Sequence, residues 1–388
     1  MIKRRPRNPS VYLCLYVVFA LVLWVSQSSL YITFDSGLMI LIVAYLYFFL
    51  GCYIGNKTTR FRQQDNLINN QSLFNASLQV KILLAINFFI LIYLVFLFKN
   101  IMASGISFAE YRESLFKDQS IKEYFGAFAA YLFVFATLVP LFGISYGLYL
   151  KINKNKSAIL FLSFLMLIGK ESILISRYYV FAPVLAAILI LYCYDSKMTL
   201  KKVVFALAVF LILLLAIFTF RGDSDLSQSL INTRNYAIAG YSLFTHAIDS
   251  GDTDTLYELS SPFSFLGILG AKFYDQSAFF TKVQNFVLLG SGGYFNAFYT
   301  SLLLPFLYFG SLGLAVLSML FGYIVSRNHN CIINKNSFLN FNSLFALIVI
   351  FFSHQFLPVQ LSFFWDYFLI SLSVHFFVVC YRNIRSNF

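Results

Sequence analysis

Ten apolar stretches, most of them long enough to cross a bilayer, punctuate this chain, and they constrain its fold more than any other feature. They run over 11–31, 37–55, 80–98, 125–150, 157–176, 178–194, 203–220, 304–325, 338–353 and 361–381, the ninth being short. A helix needs roughly 20 apolar residues, within a range of about 17 to 25, to span the hydrocarbon core. Inside lipid, every backbone N–H and C=O must find its partner within the structure, which makes helices the form such stretches take. The charge content supports this reading. Only 11% of residues are charged and 60% are hydrophobic, whereas a soluble domain carries about 25% charged residues. So few charges cannot cover a water-facing surface. The sequence therefore predicts an all-α polytopic membrane protein with about ten transmembrane helices. The first stretch follows Met-Ile-Lys-Arg-Arg-Pro-Arg and has no small-residue cleavage site after it, so it is read as a retained helix and not a signal peptide.

The net charge of +12 is not read as a nucleic-acid footprint, because the basic residues are scattered into short loops between the apolar stretches. They sort by side instead. With the N-terminus in the cytoplasm and the spans alternating, the cytoplasmic side holds 18 of the 28 Lys and Arg and 2 of the 16 Asp and Glu, a net of +16 against −4 on the other side. By the positive-inside rule this puts both termini in the cytoplasm. Cys14, Cys52, Cys193, Cys331 and Cys380 all fall on or near the cytoplasmic side, so no disulfide framework is expected.

Three segments follow: residues 1–220 with seven spans, a large outer loop over 221–293 with short helices, and residues 294–388 with three spans. The stretch 294–303 is read as the start of the eighth span or as a re-entrant segment. A second outer loop covers 99–124. Long loops on a helical scaffold are where function concentrates.

Several ionisable residues lie on the outer side. Lys170 and Glu171 fall inside the fifth stretch, and Arg177 follows directly after it. Ionisable groups at membrane depth are costly and tend to mark function; the competing reading is snorkelling to the interface. Arg221 closes the seventh stretch and Arg234 lies in the large loop. Guanidinium groups pair bidentately with phosphate oxygens, so Arg177, Arg221, Arg234 and Lys170 are candidates for holding a diphosphate. Interfacial anchoring and salt bridges to nearby acids are the alternative. Residues 232–248 read as an amphipathic helix, with Ile238, Tyr241, Phe244 and Ile248 on an apolar stripe and Asn235, Ser242, His246 and Asp249 on a polar one. His246 and Asp249 are three apart and can meet. A carboxylate orienting an imidazole makes a candidate general base, although a lone surface histidine is more often inert. Asp223 with Asp225 and Asp252 with Asp254 form two Asp-x-Asp pairs, a weak pattern for a divalent cation, and no metal is assigned. The sequence has no HExxH, CxxC or Walker-type loop, so zinc proteolysis and ATP hydrolysis lack support.

The string Leu-Leu-Gly-Ser-Gly-Gly-Tyr-Phe-Asn-Ala-Phe-Tyr-Thr over 288–300, continuing through Pro305, Phe306, Leu307, Tyr308, Phe309, Gly310 and Gly313, resembles the late segment of bacterial oligosaccharide repeat-unit polymerases, the O-antigen polymerase (Wzy-type) family. Asn296, Thr300, Pro305, Phe309 and Gly310 match the family pattern, and Tyr308 stands where Asp is common. The resemblance implies a membrane-embedded, GT-C-like glycosyltransferase of the bacterial inner membrane that needs no cofactor. Its substrates would be undecaprenyl-diphosphate-linked oligosaccharides. Its associates would be membrane lipid and the chain-length regulator and flippase of the same pathway, with no nucleic acid. The sister O-antigen ligase and a lipid-linked oligosaccharide flippase or other transporter are the alternatives.

Overall fold

A computed structural model describes residues 6–26, 36–58, 76–107, 110–111, 121–174, 178–220, 226–262, 278, 282, 287–288, 294–295, 302–335, 338–353 and 364–374. These residues are almost entirely helical. In chain order the helices are α1 (Pro9–Val25), α2 (Ser36–Thr58), α3 (Ala76–Ala103), α4 (Ile121–Lys154), α5 (Ala158–Leu174), α6 (Tyr178–Tyr194), α7 (Leu200–Phe220), α8 (Leu226–Asp249), α9 (Asp252–Leu259), α10 (Leu303–Lys335), α11 (Phe338–Phe352) and α12 (Phe364–Val374). A two-residue antiparallel ladder, β1 (Val287–Leu288) with β2 (Tyr294–Phe295), lies between α9 and α10.

Helices occupy all ten apolar stretches. By length and apolar composition alone, four are able to cross a membrane: Ser36–Thr58, Leu78–Ala103, Tyr131–Lys154 and Leu303–Ile333. Pro9–Val25, Tyr179–Tyr194, Phe338–Phe352 and Phe364–Val374 are shorter apolar helices. Large apolar side chains point outward from these helices, with Phe19 65% exposed, Phe89 69%, Phe205 71% and Leu312 73%. A soluble protein does not leave so much contiguous apolar surface in water, and this is a membrane-embedded helical bundle.

Helix ends differ from the apolar stretches for local reasons. α1 starts two residues early because Asn8 caps it, its side chain accepting from the backbone N–H of Ser10, and Pro9 fits the first helical position. α4 and α10 are each broken by a glycine. Gly126 has φ 80° and ψ 158°, and Gly310 has φ 64° and ψ −170°, conformations that side chains with a Cβ avoid. The long span in α4 therefore begins after the break, and α10 consists of a short piece up to Phe309 and a long piece beyond Gly310.

Between helices in lipid there is little hydrophobic driving force, so close van der Waals packing through small residues takes its place. One such seam joins α2 to α10. A Cβ at Gly51 would run into the Met319 carbonyl, one at Gly55 into the Tyr323 carbonyl, and one at Gly322 into the Phe48 carbonyl. A second seam joins α4 to α5, where Gly143 and Gly147 face Ser163 and Leu160. The larger core draws on α1, α2, α6, α8, α10, α11 and α12 with part of α4, and a smaller one on α3, α4 and α5.

The bundle has two distinct ends. At one, the Arg7 N–H and guanidinium donate to the Cys193 and Tyr192 carbonyls, Asn8 bonds Asn56, and Tyr194 meets the His329 ring. The N-terminal segment thus shares this end with the basic turn after α6 and the C-terminal part of α10. At the other end lie the start of α2, the end of α8, and α9.

Candidate functional site

α8 is where the structure departs most from a surface amphipathic helix. Every residue from Ile238 to Thr245 is buried, on the polar stripe as well as the apolar one. The large loop therefore opens with a 24-residue helix that belongs to the main core. Its polar side chains tolerate burial because they have partners. The Trp24 indole of α1 donates to Ser242 Oγ at 2.7 Å, and Thr245 Oγ1 bonds the Ser242 carbonyl at 3.0 Å. On the apolar side, Tyr45 of α2 donates its hydroxyl proton to the Tyr241 hydroxyl at 3.0 Å, and Phe244 meets Phe306 of α10 with ring centroids 5.8 Å apart.

His246 and Asp249 end this helix, and both are half-buried. Asp249 accepts a hydrogen bond at 3.3 Å from Oγ of Ser36, the first residue of α2. The backbones come close just before it, and a Cβ at Gly37 would lie 2.8 Å from the Thr245 Cα. The carboxylate thus meets the positive end of the α2 dipole, a favourable place for an anion. Beyond the Gly251 corner, which has φ 77°, α9 begins with Asp252, and this aspartate is paired to Lys282 at 2.9 Å. Asp252 of the second Asp-x-Asp pair is therefore already engaged by a cation, and no group of three or more His, Cys, Asp or Glu side chains able to hold a metal occurs among the described residues. Asp223 and Asp225 lie outside the described residues.

Lys170 stands elsewhere. It is fully buried in α5, ion-paired with Glu171 and stacked over the Tyr179 ring of α6 at 4.4 Å. Tyr111 donates to the Ile173 carbonyl at 2.9 Å, satisfying one of the free carbonyls at the end of the same helix. One oxygen of Glu171, Oε2, is buried without a hydrogen-bond partner. Lys170 pairs within α5 and stacks on α6, whereas Asp249 is bonded to the start of α2. The lysine is a paired cation, not an open one.

Arg234 lies on α8, but its side chain is not among the described residues; Arg177 and Arg221 lie outside them altogether. Arg234 precedes His246 by three turns, which places the two backbones about 18 Å apart along the axis at 1.5 Å per residue.

Of the motif residues, Asn296 and Thr300 lie outside the described residues. Pro305 and Phe309 occupy the short first piece of α10, and Gly310 forms the break. Tyr308 tethers that piece to α9: its hydroxyl meets Ser260 Oγ at 2.7 Å, its ring lies 5.0 Å from that of Tyr257, and both Tyr257 and Ser260 come from the end of α9. An aspartate there could not reproduce the ring contact.

Behind this end of the bundle lies a cavity of ≈ 140 Å³. Its walls are Tyr45 and Phe48 of α2, Leu302, Pro305, Leu314, Leu317, Ser318 and Phe321 in and before α10, Ile350 and Phe351 of α11, and Trp365 of α12. The sequence reading did not single out Tyr45, Trp24 or Trp365; the glycine spacing in α2, Gly51-x-x-x-Gly55, was the available sign that α2 packs closely against another helix.

Comparison with known proteins adds nothing to this geometry. No family model, no curated protein and no solved structure matches the chain.

Proposed function

We propose that this protein polymerises polyprenyl-diphosphate-linked oligosaccharide repeat units at the periplasmic face of the bacterial inner membrane. The growing glycan passes from its lipid carrier to a new repeat unit. In this reading the chain crosses the membrane ten times in a GT-C-like arrangement, both termini are cytoplasmic, and the α8 end faces the periplasm. The observation that carries the reading is the contact between Phe244 and Phe306. Phe306 belongs to the segment that resembles the polymerases, and Phe244 precedes the candidate base by two residues on α8.

The chemistry needs few parts. A hydroxyl of the acceptor sugar attacks the donor anomeric carbon. The bond from that carbon to the diphosphate oxygen breaks as the new glycosidic bond forms, the proton passes to His246, and polyprenyl diphosphate leaves. Cationic donors stabilise the charge that develops on the leaving group. Two lipid diphosphates must be held, one leaving and one remaining on the acceptor, so the cations need not meet at one point. That suits the axial distance between Arg234 and His246. Arg177, Arg221 and Arg234 are the proposed diphosphate ligands. Lys170, paired with Glu171, would act by positioning the segment that leads to Arg177.

The test is deletion of the gene with the surface polysaccharide run on a gel. Loss of the ladder with a single capped unit remaining is the polymerase result. Loss of all capped core would point to the ligase or the flippase and would reject the proposal.

A further inference from the structure

The cavity behind α8 has walls of a particular chemistry. Apart from the Tyr45 and Ser318 hydroxyls and the Trp365 indole N–H its side chains are hydrocarbon, and the Tyr45 proton is already given to Tyr241. A sugar or a diphosphate placed here would leave most of its polar groups without partners, at a cost of roughly 1–3 kcal/mol for each neutral group by protein mutational data. An apolar chain loses nothing.

The cavity also has an entrance. Leu317 lines it and is itself 40% exposed, and it lies on an outward apolar stripe of α10 with Leu312, Val316 and Leu320. The opening therefore faces the lipid-facing side of the bundle. The inner wall leads the other way: Tyr45 joins the cavity to α8 through Tyr241, five residues before His246, and Pro305 brings the motif segment into the lining.

We infer that this cavity seats the isoprenoid tail of a lipid-linked substrate, entering past Leu317, so that the headgroup emerges beside the end of α8. The choice of an isoprenoid over a phospholipid acyl chain rests on the polymerase reading; the apolar lining and lateral entrance do not.

The test uses the full-length protein in phospholipid nanodiscs with an undecaprenyl phosphate carrying a photoactivatable diazirine on its tail and no sugar. Crosslinks should concentrate in peptides covering 302–321 and 350–351. Excess unlabelled undecaprenyl phosphate should suppress them, and added phospholipid should not. Ser318→Phe, which fills the cavity, should lower labelling roughly tenfold, equivalent to about 1.4 kcal/mol. Labelling spread evenly over the outward faces of α1, α3 and α7, or equal labelling by a diazirine phospholipid, would overturn the inference without depending on any variant folding. The two readings separate cleanly. Cavity labelling in a protein whose deletion leaves the polysaccharide ladder intact would sink the polymerase and keep the isoprenoid site. An unlabelled cavity in a protein whose deletion removes the ladder would do the reverse.

Discussion

The hydroxyl of Tyr45 in α2 donates to the hydroxyl of Tyr241 in α8 at 3.0 Å, with both rings buried. This bond ties the wall of the apolar cavity to the helix that carries His246. A buried hydroxyl left without its partner costs about 1–3 kcal/mol. Tyr45→Phe and Tyr241→Phe should each lower the thermal midpoint of the purified protein, and the double variant should lose less than the sum of the two. Fully additive losses would mean that the two hydroxyls do not act as a pair.

The buried pair of Lys170 and Glu171 makes a second prediction. Removing one member of a buried ion pair costs about 3–5 kcal/mol, whereas replacing both with apolar residues is often neutral. Lys170→Met alone should reduce folded yield sharply, and Lys170→Met with Glu171→Leu should restore it. If the double variant folds but makes no polymer, the lysine does more than balance its neighbour. Equal yields for wild type and the single variant would contradict the pairing.

Gly310 is strained by any other residue, although a Cβ there meets nothing within 4 Å. Gly310→Ala should therefore destabilise through the backbone alone, by about 1–3 kcal/mol. Gly169, inside unbroken α5 and also in open space, is the control; Gly169→Ala should be neutral or stabilising by up to about 1 kcal/mol. Thermal unfolding of the two variants side by side checks this, and equal behaviour would remove the special role of the break.

The candidate base gives the fourth prediction. His246→Ala should lower polymer yield roughly 10²- to 10⁴-fold at normal expression, the range for loss of a general base. Asp249→Asn keeps an oxygen for the Ser36 hydroxyl and loses the charge at the α2 terminus, worth about 0.3–1 kcal/mol, so it should do less harm. A full-length ladder from the His246→Ala strain would take the histidine out of the mechanism.

Helix positions were legible in the sequence because apolar runs in lipid have little other choice: 37–55 and 178–194 lie within a few residues of α2 and α6. The breaks at Gly126 and Gly310 were not, since a glycine in an apolar run leaves no mark on hydropathy. The burial of α8 was hidden for a different reason. Ser242 read as part of a polar stripe, and only a tertiary partner, the Trp24 indole, reveals that it is packed inside. His246 and Asp249 were singled out because a turn of helix separates them, which is local geometry. The Ser36 contact and the cavity join segments far apart in the chain, and no spacing rule encodes them. The seams at Gly51, Gly55, Gly143 and Gly147 are visible as small residues four apart, a pattern that hydropathy windows average away.

The most direct measurement uses what the deletion strain supplies. Lipid-linked single repeat units extracted from it would be added to the purified protein in liposomes, with a chelator present and no nucleotide, and the products separated by size. A stepwise ladder accompanied by release of polyprenyl diphosphate is the expected result. Units that stay single while crossing the vesicle bilayer, or that appear only on added lipid A-core, would contradict polymerisation and assign the protein to transport or ligation.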